Sequence, residues 1–250
     1  MKKNNKFKIL LISVLCAAIV CCAGFGIYVS DYYRANDAAL AATFSDNEVT
    51  VMDDNNDCMV FTPKNPEKGI VFYPGGKVEY TAYAPLMKAL AQEGFFCVLV
   101  KMPFNLAVFD INAADDILEE YADIDEWYIG GHSLGGAMAA SYASKKADKL
   151  EGLILLAAYS TEDLTDSGLN VIQIQGREDG LFWDDMEEVK KYQANLPDDF
   201  SQLCIEGGCH AYFGSYGEQE GDGKPTITPE EQVRQTVEFI TQIIKYRISL

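Results

Sequence analysis

A single serine lies between two glycines in the segment GGHSLGGAMAA, residues 130–140. The apolar run WYIGG before it predicts a β-strand, and the small residues after it predict a closely packed helix. A sharp strand-to-helix turn needs neighbours without bulk, which Gly131 and Gly135 provide, and it lifts the hydroxyl at the end of the strand. We therefore predict that Ser133 is a nucleophile. The alternative is an ordinary tight bend, since so short a pattern also occurs by chance.

A serine hydroxyl becomes a good nucleophile only when a base removes its proton. The chain has two histidines. His132 adjoins the serine, and its side chain is expected to point away from the hydroxyl and to fill a packing position. His210, in IEGGCHAYFGSYG, follows the last predicted strand at the edge where the serine emerges. We predict that His210 is the base.

The imidazole of such a base needs an acceptor that fixes its tautomer. Asp179, in QGREDGLF, follows the preceding predicted strand and comes between the serine and the histidine in the chain. Glu178 is the rival for this role. Three other acids are interpreted as solvated charges at helix ends: Asp110, Asp184 and Asp185.

The oxyanion formed when a carbonyl is attacked needs two hydrogen-bond donors. The N–H of Leu134, at the start of the helix, is one candidate. In FYPGGKVEY a predicted strand runs directly into a glycine-rich loop, and we expect the N–H of Gly76 to be the second donor. The plainer interpretation of this loop is a connection between a strand and a helix.

The elements that position these residues alternate along the chain. Residues 49–53 and 58–62 predict an opening antiparallel pair. Six apolar strands follow, at 69–74, 95–101, 127–131, 153–158, 170–176 and 201–208, with helices at 81–94, 112–124, 136–146, 183–196 and 228–247. This alternation predicts an α/β fold with a mostly parallel, doubly wound sheet, whose ligands bind beyond the carboxyl ends of the strands. The short connection 159–169 leaves no room for a lid domain.

Four motifs in this order resemble the α/β-hydrolase superfamily, in its small lidless branch that includes dienelactone hydrolase: FYPGGKVEYTAYAPL, GGHSLGGAMAA, QGREDGLF and EGGCHAYFGSYGEQEGDGKPTIT. The resemblance covers roughly residues 68–248. It implies a triad of Ser133, Asp179 and His210, with Gly76 and Leu134 at the oxyanion hole and no cofactor or metal. Pro74 departs from the histidine common before the oxyanion glycine, and Cys209 stands where relatives often carry asparagine. Dienelactone hydrolase itself uses a cysteine nucleophile, so its substrate does not carry over.

The amino-terminal region predicts a membrane anchor. Residues 1–8 are basic, and residues 9–29 contain no charge over a length that spans a hydrocarbon core as a helix. Lysines precede this span, so the amino terminus is expected to be cytoplasmic and the domain extracytoplasmic. Cleavage as a signal peptide, followed by secretion, is the alternative. Residues 30–45 are interpreted as a stalk and residues 46–250 as the hydrolase domain.

The net charge of −18 argues against nucleic acid as a partner. The resemblance implies that the partner is a small-molecule acyl ester or thioester. Transfer to another acceptor and amide hydrolysis use the same machinery and stay open, as does a non-catalytic surface interaction module. Four cysteines fall in the domain, and the sequence does not choose among their three possible pairings: Cys58, Cys97, Cys204 and Cys209.

Overall fold

The computed structural model describes residues 2–54, 58–182 and 186–246. The chain divides into two compact units, and the boundary between them in the sequence lies between Tyr32 and Tyr33. The first unit contains one helix, α1 (Lys2–Ser30). Its segment Leu10–Ser30 is the one stretch of the described residues that is long and apolar enough to cross a membrane, a criterion that signal sequences also meet.

The second unit is built around a sheet that has eight strands within the described residues. Its spatial order is β1-β2-β4-β3-β5-β6-β7-β8. The strands are β1 (Val49–Asp54), β2 (Cys58–Pro63), β3 (Lys68–Tyr73), β4 (Phe95–Val100), β5 (Glu126–His132), β6 (Gly152–Leu156), β7 (Asn170–Gly176) and β8 (Ser201–Ile205). β2 pairs antiparallel with β1 and β4, and the remaining pairs are parallel. The predicted α/β-hydrolase fold is confirmed.

Helices cover both faces of the sheet, because the central strands are apolar on both sides. They are α2 (Asp37–Ala42), α3 (Ala84–Gln92), α4 (Ala114–Glu120), α5 (Leu134–Ala143), α6 (Met186–Gln193) and α7 (Pro229–Tyr246). Ile70 and Phe72 of β3 point into a core with α3 and α7. Val71 and Tyr73 point into a second core with α4 and α5. The predicted helix at 183–196 is described only from Met186 onward, and residue 247 of the last predicted helix also lies outside the described residues.

The compact domain begins at Tyr33 rather than at residue 46, where the sequence placed the end of a stalk. The N–H of Tyr33 donates to the carbonyl of Lys77 over 2.8 Å, which joins the first residue of the domain to the segment after β3. In α2, Ala39 is fully buried. Ala35 and Ala42 are partly buried and pack against the core that α3 helps to form, whereas Ala38 and Ala41 are exposed.

No disulfide bond forms among the four cysteines of the domain, all of which lie in the described part of the chain. Three of the four are buried. Cys58 and Cys97 belong to the two different cores on opposite faces of the sheet, which separates their sulfur atoms by the thickness of the sheet.

Candidate active site

Ser133 occupies the apex of the turn between β5 and α5. Its backbone angles are φ 51° and ψ −123°, in a region that residues with a side chain rarely adopt. The turn holds this strained conformation because α5 packs directly on the end of β3. A Cβ added to Gly135 would lie 2.2 Å from the carbonyl oxygens of both Tyr73 and Pro74. The glycine therefore permits a contact between backbones that any larger residue would prevent.

Ser133 and His210, which are far apart in the sequence, line one cavity of about 290 Å³ at the carboxyl edge of the sheet. The other lining residues are almost all apolar: Leu134, Ala137, Ala157, Ala158, Tyr159, Leu181 and Phe182. Leu181 and Tyr159 are partly exposed, so the cavity opens to solvent without a covering domain.

His210 and Asp179 form a buried pair beside this cavity. The Nδ1 atom of His210 lies 2.9 Å from Oδ2 of Asp179. The other oxygen of Asp179 accepts hydrogen bonds from the N–H groups of Leu181 and Phe182, over 2.9 and 2.8 Å. Because the carboxylate can only accept, the proton of the imidazole lies on Nδ1. The Nε2 atom of His210 is left without a proton and is able to act as a base.

The rival acids have other surroundings. Glu178 is exposed, and its backbone N–H donates to the carbonyl of Gly208. Asp110 is exposed as well, beyond the end of β4. Asp184 and Asp185 lie outside the described residues. Asp179 is thus the acid that the structure brings to His210.

The glycine-rich loop after β3 is held by several backbone hydrogen bonds. The N–H of Gly75 donates to the hydroxyl of Tyr83 over 3.1 Å, and the N–H of Lys77 donates to the carbonyl of Asn105 over 2.8 Å. The N–H of Gly76, between them, donates to no group in the part of the chain that the structure describes. A donor held in a fixed loop with no partner of its own is suited to bind a transient anion.

The structure brings Gly76 and Leu134 together. A Cβ on Gly76 would lie 2.8 Å from Cδ2 of Leu134, so the loop passes directly over the first residue of α5. The N–H of Leu134 is one of the unsatisfied donors at a helix amino terminus and has no partner among the described residues. Gly76 therefore lies against the residue that follows Ser133, and the backbone N–H groups of both Gly76 and Leu134 lack a partner among the described residues.

His132 lies behind the site and does not line the cavity. Its side chain is 1% exposed, in agreement with the packing position expected from the sequence. Its ring nevertheless contacts that of His210, with 4.5 Å between the ring centroids. Burial, together with the neighbouring His210, lowers the pKa of His132 well below its ordinary value. The His132 ring is therefore neutral at physiological pH.

Asp222 is a positioning residue that the sequence did not reveal. Its carboxylate accepts hydrogen bonds from the N–H groups of His210 and Ala211, over 3.0 and 2.8 Å. A longer bond of 3.4 Å reaches it from the N–H of Gly180, next to Asp179. One carboxylate thus connects the loops that carry the histidine and the aspartate. The acid-rich segment GEQEGDG contains the residue but gives no signal that separates it from its solvated neighbours.

Gln232 of α7 is the second such residue. Its side chain is fully buried, and its amide accepts from the N–H of Cys209 over 2.9 Å and donates to the carbonyl of Cys209 over 2.8 Å. The histidine loop is held by these two bonds and by Asp222, without an asparagine at position 209. Burial and the nearby Asp222 raise the pKa of Cys209 to about 12, so this thiol stays protonated and is a poor nucleophile.

Among the described residues, no group of three histidine, cysteine or acidic side chains is arranged to hold a metal ion. The lining residues with polar side chains are Ser133, Tyr159 and His210, and Leu134 with its backbone N–H also lines the cavity. The hydroxyl of Ser133, the imidazole of His210 and the N–H of Leu134 are components of acyl transfer through a serine.

A model of the alpha/beta hydrolase family matches residues 69–234. A comparison with curated protein sequences found no significant match. The family match runs from residue 69 in β3 to residue 234 in the first third of α7. It includes Gly76, Ser133, Leu134, Asp179 and His210.

Several solved structures have a similar fold, and the alignment with this chain covers nearly the whole length of each. A dienelactone hydrolase from Anabaena variabilis has a TM-score of 0.57 at 14% identity, covering 80% of this chain and 99% of its own. The carboxylesterase CesB from Bacillus subtilis has a TM-score of 0.56 at 10% identity, covering 82% and 95%. TT1662 from Thermus thermophilus has a TM-score of 0.57 at 14% identity, covering 77% and 97%. At these identities the likeness concerns the fold.

Proposed function

Because the chain belongs to the alpha/beta hydrolase family, we propose that it is a serine hydrolase that cleaves a carboxylic ester or thioester. The observation that carries the proposal is the shared cavity of Ser133 and His210, with His210 hydrogen-bonded to Asp179. A strained serine, a base with a free nitrogen and a buried acid are the three parts of nucleophilic acyl transfer.

In the proposed reaction, Oγ of Ser133 attacks the acyl carbon as Nε2 of His210 takes the hydroxyl proton. The electron pair of the carbonyl moves to its oxygen, which the N–H groups of Gly76 and Leu134 bind. Asp179 stabilises the imidazolium that forms. When the tetrahedral intermediate collapses, the bond to the leaving oxygen or sulfur breaks, and His210 returns its proton to that atom.

The acyl-enzyme is then released by water in the same way. His210 takes a proton from a water molecule as the water oxygen attacks the acyl carbon. When this second tetrahedral intermediate collapses, the bond between the acyl carbon and Oγ of Ser133 breaks, and His210 returns the proton to Oγ. The products are a carboxylic acid and an alcohol or thiol. The opening of the cavity between Leu181 and Tyr159 supports the access of water to this step.

The cavity supports a substrate with an uncharged acyl group of modest length. Its lining contains no Lys, Arg, Asp or Glu side chain. One water molecule, with its single heavy atom, occupies ~30 Å³ in the liquid. At that volume per heavy atom, the cavity of about 290 Å³ holds roughly ten heavy atoms of a substrate. We expect kcat/KM to be highest for acyl chains of about four to eight carbons and to fall for longer chains, measured on a series of p-nitrophenyl esters.

The test of the proposal is Ser133→Ala. We expect kcat for p-nitrophenyl butyrate to fall by about 10³-fold or more, because the attacking oxygen is removed, and covalent labelling by a fluorophosphonate to disappear. The matched control is Ser144→Ala at the end of α5, where the hydroxyl bonds only to the carbonyl of Ser141. Retention of most activity by Ser133→Ala would refute the proposal.

We also propose that residues 9–29 anchor the protein in a membrane, with the amino terminus cytoplasmic and the domain on the other side. What supports this is the long apolar segment Leu10–Ser30 of α1 and the lysines before it. A cleaved signal sequence is the alternative, and membrane extraction of the full chain distinguishes the two.

A further inference from the structure

The buried histidine next to the nucleophile makes a polar contact that a mere packing residue would not need. His132 is the last residue of β5, and its Nδ1 atom lies 2.8 Å from the hydroxyl of Tyr83. Tyr83 is fully buried, and the same hydroxyl accepts the N–H of Gly75. A chain of two hydrogen bonds thus runs from the glycine-rich loop to a ring that packs on His210.

The direction of each bond follows from the chemistry of the groups. The N–H of Gly75 can only donate, so the hydroxyl of Tyr83 is its acceptor. Burial raises the pKa of Tyr83, which keeps the hydroxyl protonated and able to donate. The hydroxyl proton therefore goes to Nδ1 of His132. The proton of the neutral His132 ring lies on Nε2, which is buried beside the backbone of His210.

We propose that His132 is a positioning residue of the reaction, acting through Tyr83 as the acceptor that fixes the oxyanion loop beside His210. This inference rests on the proposed function. Tyr83 can hold the N–H of Gly75 in place only while its own proton has an acceptor, and His132 supplies that acceptor. The Gly76 donor, one residue further on, then keeps its position relative to Leu134 and to the base.

The residues around these two hydrogen bonds leave little space for Gly75, Tyr83 and His132 to adopt another arrangement. A Cβ on Gly75 would lie 2.7 Å from the hydroxyl of Tyr83 and 2.8 Å from Nδ1 of His132. On its other side the His132 ring faces Phe213, with ring centroids 5.7 Å apart. Tyr83 and His210 are therefore the titratable groups that face His132, and a rotation of any one ring would displace the glycine loop or the base.

The test compares two replacements at one position. In His132→Asn, Oδ1 takes the place of Nδ1 and still accepts from Tyr83, although the side chain loses ring volume. In His132→Phe, the ring is kept but the acceptor is lost. We expect kcat to fall about 10–100-fold in His132→Phe with KM changed by less than about 3-fold, and to fall much less in His132→Asn.

Tyr83→Phe removes one oxygen atom from the chain and is expected to match His132→Phe. The double variant Tyr83→Phe/His132→Phe should lose no more kcat than either single variant, because both break the same link. The matched control is Tyr80→Phe, in the short 3-10 helix Tyr80–Tyr83 that also carries Tyr83. Among the described residues the Tyr80 hydroxyl reaches only Asp53, at 3.5 Å, and Tyr80 does not line the cavity. This control is expected to keep the kcat of the unchanged protein.

The outcomes separate the inference from the proposed function. If His132 only fills space, His132→Phe will be the more active of its two variants and Tyr83→Phe will resemble Tyr80→Phe, which overturns the inference alone. If the unchanged protein shows no hydrolysis or fluorophosphonate labelling that depends on Ser133, both fail together. Should His132→Phe not fold, as judged by circular dichroism, the comparison of Tyr83→Phe with Tyr80→Phe decides.

Discussion

At the scale of single residues, the two oxygens of Asp179 have separate tasks. Oδ1 accepts from two backbone N–H groups of its own loop, which fixes the orientation of the carboxylate. Oδ2 is thereby aimed at Nδ1 of His210. The pair is almost completely buried, so no water competes for these bonds. An acid held in this way sets the tautomer of the imidazole without moving.

Replacing Asp179 with asparagine should reverse that tautomer. In Asp179→Asn, Oδ1 can keep both backbone bonds, which leaves the NH₂ group facing Nδ1 of His210. The proton of His210 then lies on Nε2, where it blocks acceptance of the serine proton. We expect kcat to fall by about 10³–10⁴-fold, measured on p-nitrophenyl butyrate.

The control for this change is Glu178→Gln, which alters the neighbouring exposed acid in the same loop. Its kcat is expected to stay within about 2-fold of the unchanged protein. If Glu178→Gln were the more damaging of the two, the assignment of the acid to Asp179 would be wrong.

His132 gives a prediction for the pH dependence of stability. Its folded-state pKa is well below the ordinary value, so between the two values the unfolded chain binds one more proton than the folded chain. The free energy of unfolding therefore decreases as the pH falls below about 6.5. The slope from this group is at most about 1.4 kcal/mol per pH unit.

His132→Asn removes the titrating group, so its unfolding free energy should decline less steeply in acid than that of the unchanged protein. Urea unfolding between pH 7.5 and 5 measures both slopes, and the difference between them isolates this histidine from the carboxylates. Equal slopes would mean that the His132 ring is protonated as readily in the folded as in the unfolded chain.

At the scale of elements, His210 lies on the loop after β8, and helix α7 holds that loop in place. α7 packs its apolar face on the sheet and thereby brings Gln232 under the loop that follows β8. The helix starts where Thr228 caps it, with its hydroxyl accepting from the N–H of Glu231 over 3.2 Å. This capping motif is visible in the sequence, and it sets the register that places Gln232 inward.

Removing the amide of Gln232 should loosen the histidine loop. In Gln232→Ala, the N–H and carbonyl of Cys209 lose their partners in a buried position, at about 1–3 kcal/mol each. We expect a decrease of about 2–6 kcal/mol in the free energy of unfolding and a fall in kcat, because His210 is the next residue.

Gln235→Ala is the matched control for this prediction. It lies on the same helix, and its amide reaches only Glu231 of that helix. We expect its unfolding free energy to change by less than about 0.5 kcal/mol, with kcat unaltered. Urea unfolding and initial-rate kinetics on both variants provide the comparison, and equal losses in the two would contradict a special role for Gln232.

At the scale of the whole molecule, two parts of very different chemistry share one chain. The amino-terminal helix is exposed and apolar along Leu10–Ser30, a surface that water solvates poorly. The rest of the chain carries the acidic residues that give the net charge of −18. A bilayer around the helix would remove its apolar surface from water, while the acidic domain stays soluble.

We expect the full chain, expressed in a bacterial host, to sediment with membranes and to resist alkaline carbonate extraction. Protease added to spheroplasts should digest the domain without lysis, because the lysines before the helix keep the amino terminus inside. A soluble product whose mass lacks residues 1–32 or a similar leader would instead show signal cleavage. Protection of the domain until lysis would reverse the proposed topology.

The sequence was sufficient for the fold and for the choice of candidate residues. The eight strands and the turn at Ser133 depend on patterns of apolar residues and glycine within a few neighbouring positions. Such short-range patterns can be recognised in the sequence. The parallel sheet then brings the loops after β5, β7 and β8 to one edge. Ser133, Asp179 and His210 follow from their places after those strands.

The tertiary structure alone decided which groups hold these residues. Asp222, Gln232 and Tyr83 act through contacts with residues distant in the chain, and no local pattern distinguishes them from a solvated acid, a helical amide or a core aromatic. The start of the domain at Tyr33 was missed for the same reason, because an alanine is buried only if another element offers a surface to it. Burial and hydrogen-bond partners are properties of the assembled fold, and the sequence specifies them only through it.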